Sequence, residues 1–302
     1  MGERDINAVI MEASSAFSVL FEEGANNVQA DYPLVATTFP SHSASTGYGF
    51  LSEFPMLKEW VGDRMIKSLA DHDYAIKNKL FEASIGVSRT DFEDNDYGKY
   101  GPLFSEMGMQ GTLYPDEHIF SLLTKGTEEL CFDGKPFFSK EHPLGDETAS
   151  NLFEATKSAS GNSYWYLIDN TRALKPLLWQ ERIKPAIENT LAKGGNVVSS
   201  HVFLHDKYMF GVRARGNAGF SLWQLASASN LELTMENFES VYDSMCQFKS
   251  DSGRPMRIRP SLLVVPQSLR SKARAIIEKE FLSNGESNPN FKIVDILVSP
   301  WL

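Results

Sequence analysis

The sequence predicts an α+β protein, and three stretches carry that reading. Phe81, Ala83, Ile85 and Val87 alternate with Glu82, Ser84, Gly86 and Ser88, the period of two of a half-buried strand. Tyr100, Leu103, Phe104, Met107, Gly111 and Tyr114, continued by Ile119, Leu122 and Leu123, recur at the spacing of one helical face. Leu262-Leu263-Val264-Val265-Pro266 reads as a short buried strand. It runs through Gln267-Ser268-Leu269 into an amphipathic helix at Lys272-Ala273-Arg274-Ala275-Ile276-Ile277.

The other elements follow in chain order. Residues 1 to about 44 read as partly ordered, with one amphipathic helix on Ile6, Val9, Ile10 and Ala13 and a second turn around Phe17, Leu20 and Phe21. Thr37 to Thr46 is an extended connection. Tyr74 to Lys79 is the expected hairpin partner of the Phe81 strand, and two strands alone are marginal in water, so the pair should lie on a neighbour. Pro115 interrupts the helical face, so the helix should kink or restart there, with Gly108 and Gly111 adding local freedom and Gly126 capping its end. Gly145 to Asn162 is polar and small, the best candidate linker. Tyr164 to Ile168 and Leu177 to Gln180 read as strands, Lys193-Gly194-Gly195-Asn196 as a flexible break, and Val202 to Leu204 and Phe220 to Ala226 as short strands between turns. Thr234 is the expected N-cap of a helix reaching about Phe248, and Phe291 to Val298 a final strand with Ile293, Ile296, Val298 and Trp301 buried.

The 302 residues are 42% hydrophobic, enough to bury a sizeable core in one large or two modest domains. The net charge of -10 and a pI of about 5.2 argue against tight binding to nucleic acid, yet permit a protein that encloses DNA without gripping it. Two cysteines, Cys131 and Cys246, without C-x-x-C spacing, give neither a zinc knuckle nor a disulfide framework and suit a reducing compartment. No run approaches the roughly 20 apolar residues of a membrane span, so the chain is expected to be soluble and cytoplasmic when made.

Enzyme motifs are missing: no P-loop, no G-x-G-x-x-G after a strand, no G-x-S-x-G. His201 and His205 stand at i and i+4, a zinc-binding spacing on a helix, but only Asp206 is nearby as a third ligand; a soluble metalloenzyme on this pair is the weakest reading. Glu128-Glu129 and the run Asp91, Glu93, Asp94 and Asp96 read as solvated faces or dipole partners, and the two cysteines as buried, inert thiols. Arg213, Arg215, Arg254, Arg257 and Arg259, in an acidic chain, suit ion pairs to a neighbouring subunit better than phosphate contacts. No catalytic, cofactor-binding or metal-binding residue is expected, and no cofactor.

Six segments carry a family resemblance through their order and spacing: Phe54 to Gly62, Gly86 to Asp94, Cys131 to Pro143, Arg172 to Arg182, Leu262 to Glu280 and Phe291 to Leu302. From about Tyr48 onward the chain resembles the major head proteins of Mu-like tailed bacteriophages, capsid subunits of the HK97 fold. The resemblance implies an N-terminal arm (1–45), an extended loop (46–93), a peripheral domain with a spine helix (94–162 and 280–302) and an axial domain (163–279). It implies self-assembly into the pentamers and hexamers of an icosahedral shell around double-stranded DNA, in the virion and built in the host cytoplasm. Expected partners are further copies of the chain, a scaffold or protease, a portal and decoration proteins; DNA is enclosed without sequence-specific binding, and no membrane is involved. The intersubunit candidates are Tyr74, Ile76, Lys77, Lys79, Phe81, Ile85, Arg213 and Arg215, and the spine-helix hinge is Gly108, Gly111 and Pro115. The rival reading is an encapsulin-like cellular shell.

Overall fold

The computed structural model describes residues 6–48, 74–144, 147–155, 163–189, 200–250 and 253–302; the Lys193–Asn196 break and most of the expected extended loop lie outside them. The elements are α1 (Ile6–Asn26), α2 (Tyr32–Val35), β1 (Ala36–Pro40), β2 (Ser45–Gly47), β3 (Ala75–Lys77), β4 (Lys79–Ser88), α3 (Arg89–Glu93) and α4 (Gly101–Thr124). Then come β5 (His142–Leu144), β6 (Glu147–Ala149), β7 (Leu152–Phe153), β8 (Trp165–Ile168), β9 (Leu177–Asn189), α5 (Ser200–His205) and β10 (Lys207–Phe220). The chain closes with β11 (Ala226–Ser229), α6 (Met235–Cys246), β12 (Leu262–Pro266), α7 (Arg270–Ile277) and β13 (Asp295–Ser299). It forms two compact units. The first holds Met1–Ala30, Asn78–Pro115 and Glu181–Asn217, the second Asp31–Lys77, Asp116–Gln180 and Ala218–Leu302.

In the first unit, α1 is one 21-residue helix, not a short helix and a separate turn. Ile10, Ala13, Phe17 and Phe21 recur on one face and are buried, which gives a continuous reason for the helix to extend. Phe17 stacks on Phe104 of α4 at 4.0 Å between centroids and meets Phe210 of β10 edge-on at 5.3 Å. Val87, Tyr208 and Phe210 complete this core, with Ile85 and Ile187 packed against it. Two glycines set the crossing of α1 and α4: a Cβ on Gly24 would lie 1.9 Å from the Ser105 carbonyl oxygen, and one on Gly108 would lie 1.9 Å from that of Phe21. Gly108 thus lets two backbones touch.

The expected hairpin does not form. β3 pairs antiparallel with β2, and β4 pairs antiparallel with β10 over its whole length, from Lys207 opposite Ser88 to Gly216 opposite Lys79. Only Asn78 separates β3 from β4, too short a link to reverse the chain. β10 is a 14-residue strand, and the expected strand at Phe220 to Ala226 holds only its last residue, then a 3-10 turn at Trp223–Leu225 and the first residue of β11. Val202 to Leu204, expected as strand, belongs to the short helix α5. In the strand order β1-β9-β10-β4, β4 is an edge.

α4 does not restart at Pro115. It is a single 24-residue helix with the proline inside. The ring removes one backbone donor, but Phe104 and Met107 before it and Ile119, Phe120 and Leu123 after it are all buried. That burial outweighs one lost hydrogen bond. The helix passes from the first unit to the second between Pro115 and Asp116. Gly126 is not a left-handed cap: it lies in a 3-10 turn, and its bare Cα makes room for the Phe138 ring, which a Cβ would meet at 2.5 Å.

The second unit is built on a five-stranded sheet, β13-β12-β8-β11-β7. β12 and β8 are buried at every residue, the signature of strands covered on both faces. α6 and α7 lie against this sheet through Phe238, Val241 and Met245 and through Ala273, Ile276 and Ile277. Thr234 caps α6 as expected, its Oγ1 accepting from Asn237 N at 3.2 Å. β13 adds parallel to β12, Leu262 opposite Asp295 through Pro266 opposite Ser299. Residues 262–266 and 295–299 therefore share one sheet, and the expected division at 279/280 does not part them. The buried positions of the last segment are Val294, Leu297 and Ser299; Ile293 and Trp301 are exposed, because residues 291–293 turn before the strand begins and shift the expected face. The described part of the expected linker carries β6 and β7 and lies inside this unit.

Candidate assembly surface and a buried polar cluster

The residues expected at subunit contacts divide by burial. Ile76 is buried in the second unit, against Gly219, where a Cβ would lie 2.0 Å from its Cδ1. Tyr74 is half-buried, and its hydroxyl accepts from Phe220 N; burial raises its phenol well above the usual range. Ile85 packs on the first unit's core, and Phe81 lies 5.2 Å from the Tyr114 ring in a tilted contact. Lys77 and Lys79 are exposed.

Arg213 and Arg215 belong to a different surface. On β10, Tyr208, Phe210, Val212 and Ala214 turn inward and are buried. The alternate residues Lys207, Met209, Gly211, Arg213 and Arg215 therefore point to the opposite face of the sheet. Across the ladder on β4, the same face carries Ser88, Gly86, Ser84, Glu82 and Leu80. Neither Arg213 nor Arg215 has an ion-pair partner among the described residues; Glu82, opposite Arg213, instead accepts from Ser84 Oγ at 3.0 Å. Apolar Leu80 is 59% exposed at the rim. Among the described residues the face carries three cations, Lys207, Arg213 and Arg215, against one carboxylate, Glu82, with small residues at its centre. The inward period of two on β10 was present in the sequence, but its interleaved glycines masked it.

The expected hinge residues sit on α4: Gly108 at the crossing with α1, Gly111 against Pro185, and Pro115 at the boundary of the two units. His205 lies on α5, and the His201 side chain lies outside the described residues. Cys246 is partly exposed on α6, not fully buried as expected.

The loop between α4 and β5 gathers side chains that no spacing rule singled out. Asp133-Gly134 makes a turn, with Gly134 at φ 77, that folds the loop back on itself. Asp133 Oδ1 accepts from the Cys131 thiol and from Lys135 N, both at 3.0 Å, and Oδ2 lies 2.6 Å from His142 Nδ1. His142 Nε2 lies 3.2 Å from the Phe137 carbonyl and 3.1 Å from Asn151 Oδ1. The imidazole stacks on Trp223 at 4.1 Å and 5° and is fully buried. Asn151 donates to the carbonyls of Phe137, Trp223 and Ala226, so the cluster ties the loop to β11. Burial alone would raise the Asp133 carboxyl; hydrogen bonds from His142, Cys131 and Lys135 N and the charge of the ring hold it below the usual carboxylate value. Burial first, then the neighbouring carboxylate, push the Cys131 thiol far above its usual range, so it stays protonated. No described helix is long and apolar enough to cross a membrane.

Comparison with known proteins places this architecture. Residues 10–302 match the family described as the Mu-like prophage major head subunit gpT. The chain is 37% identical over 273 residues to the major capsid protein of Escherichia phage Mu, covering 88% of each chain. It is 34% identical over 271 residues to the Mu-like prophage FluMu major head subunit of Haemophilus influenzae, covering 87% of each. Among solved structures, it superposes on the subunit of the bacteriophage JBD30 procapsid with a TM-score of 0.86 at 45% identity, covering 98% of this chain and 99% of that one. On the JBD30 capsid the TM-score is 0.75 at 36% identity, with 91% of each chain covered. The chain belongs to the Mu-like major head subunit family and is a phage major capsid protein of HK97-like fold, a self-assembling structural component of the virion shell.

Proposed function

We propose that this subunit closes pentamers and hexamers of an icosahedral shell through heterologous contacts, and that the cationic outer face of β4 and β10 is one side of such a contact. The observation that supports this is the pair Arg213 and Arg215, held on a rigid strand without a carboxylate partner among the described residues, in a chain of net charge -10. An acidic surface of a neighbouring copy would pair with them, and Gly86, Gly211 and Ser84 allow a close approach. Lys79 and Leu80, opposite Gly216 and Arg215 on the ladder, are further exposed candidates, and Lys77 is exposed on β3. Shell assembly in the host cytoplasm, enclosure of double-stranded DNA without sequence-specific contacts, and partnership with scaffold, protease, portal and decoration proteins belong to the same proposal.

We infer further that the chain divides into axial and peripheral domains and that α4 carries a hinge. The crossing of α4 from one compact unit to the other at Pro115 supports a hinge there. So does the closer fit to the procapsid subunit than to the capsid subunit of JBD30, which fits a fold with more than one shape.

The test is Arg213→Glu with Arg215→Glu, followed by circular dichroism and electron microscopy of the purified protein. Folded subunits with few or no shells are expected. Wild-type yields of normal shells would overturn the assignment of this face, and small uniform cages from the unaltered chain would favour the cellular-compartment reading.

A further inference from the structure

We propose that Cys131, Asp133 and His142 form a divalent-cation site, fitted best to zinc, that fastens the loop between α4 and β5 in the second unit. The expectation that the chain offers no metal site rested on His201 and His205, beside which the sequence places only Asp206, and on the lack of C-x-x-C spacing. Folding supplies a different set: Cys131 Sγ, an Asp133 carboxylate oxygen and a His142 ring nitrogen all lie within 4.8 Å of one another.

Four features fit a cation. The first is the donor set, one thiolate, one imidazole and one carboxylate, a mixture that zinc accepts and that the hard cations magnesium and calcium do not favour. The second is the outer support. Nε2 of His142 faces two acceptors, Phe137 O and Asn151 Oδ1, so it carries a proton and leaves Nδ1 to face Asp133. A ligating histidine is typically held this way, and stacking on Trp223 fixes the ring plane as well. The third is charge. Thiolate and carboxylate together neutralise a divalent ion, so the buried site stays neutral when the ion replaces protons. The balance is two protons out for one ion in: the thiol proton of Cys131 and the proton shared between His142 Nδ1 and Asp133 Oδ2. No oxidant or further reactant is needed.

The fourth is the small movement required. Tetrahedral zinc with bonds of about 2.0–2.3 Å separates its ligand atoms by roughly 3.3–3.8 Å. The Nδ1 to Oδ2 contact is 2.6 Å, so the hydrogen-bonded cluster must open by under about 1 Å. Asp133 can supply that movement from its turn at Gly134, while His142 stays anchored. Three protein ligands leave a fourth position for water.

The test uses the full chain, freed of metal by chelator and titrated with cobalt(II) as a zinc surrogate. A thiolate-to-cobalt charge-transfer band saturating at one ion per chain, loss of the band on adding zinc, and release of two protons per ion in weak buffer are expected. Cys131→Ser keeps a hydroxyl for Asp133 and should fold; it should lose the band and release at least one proton fewer. Asp133→Asn provides a second variant, with binding weakened at least tenfold. The proposal is overturned if excess cobalt gives no such band with the unaltered chain. It is also overturned if the band survives Cys131→Ser, which would place the thiolate at Cys246, or if zinc binds equally to both variants, which would place the ion elsewhere, for example at His201 and His205.

Discussion

Replacing Gly108 by alanine should destabilise the first unit, although alanine is the better helix former. In an open helix interior the exchange stabilises by about 0.8–1.0 kcal/mol. At Gly108 the new Cβ would lie 1.9 Å from the Phe21 carbonyl oxygen and 2.8 Å from its carbon, where ordinary contacts begin at 3.4 Å. α1 and α4 would have to part by about 1.5 Å at that point, since the obstacle is backbone and cannot rotate away. The same crossing is closed from the other helix by Gly24 against Ser105, and separation also loosens the Phe17 to Phe104 stack at 4.0 Å. Overpacking of this kind costs about 1–3 kcal/mol and exceeds the propensity gain. Because the obstacle is backbone, the cost falls at the upper end of that range, about 2–3 kcal/mol, and the expected net loss is about 1–2 kcal/mol, a factor of roughly 5–30 in the folded-to-unfolded ratio. Urea unfolding of unassembled subunits measures it, with Gly98→Ala as control because a Cβ there meets nothing within 4 Å. The control should shift stability by under about 0.5 kcal/mol, while Gly108→Ala lowers the midpoint. A Gly108→Ala midpoint at or above the wild-type value would refute the geometric argument.

Other consequences are as direct. Deleting residues 291–302 removes β13 with buried Val294 and Leu297 and exposes the edge of β12; the product should be insoluble, and a soluble product with unchanged melting temperature would place the tail outside the core. Asp133 has a folded-state pKa below the usual carboxylate value, so its contribution is present above about pH 4 and is lost as pH falls through the folded value. Acid titration of stability should show a steeper loss for the wild type than for Asp133→Asn below about pH 4, and parallel curves would contradict the network. Pro115→Ala restores the donor missing from α4 and should leave subunits folded while slowing any change in shell diameter; an unchanged rate would remove Pro115 as a hinge.

Local pattern alone determined much of this protein. The continuous apolar run of β12, the amphipathic face of α7, the Thr234 cap of α6 and the inward alternation of Phe81, Ile85 and Val87 all depend on neighbours close in sequence, so they are legible without a fold. The six family segments were legible for another reason: their order and spacing carry the history of the shell subunit. Which partner each pattern meets is settled only by packing in three dimensions. β4 takes β10, more than a hundred residues away, in place of the nearby β3, because a one-residue link cannot reverse the chain and because β10 offers a full-length matching face. Gly108 reads as freedom in the sequence and is a backbone contact in the fold, since nothing in a helical repeat records what lies across it. Pro115 stays inside a helix because tertiary burial on both sides outweighs the local cost. Of Cys131, Asp133 and His142, the sequence singles out the first alone, as an inert thiol. The Gly134 turn brings them together, and the reach of a polar cluster across a loop is set by backbone path, which single-residue chemistry does not encode.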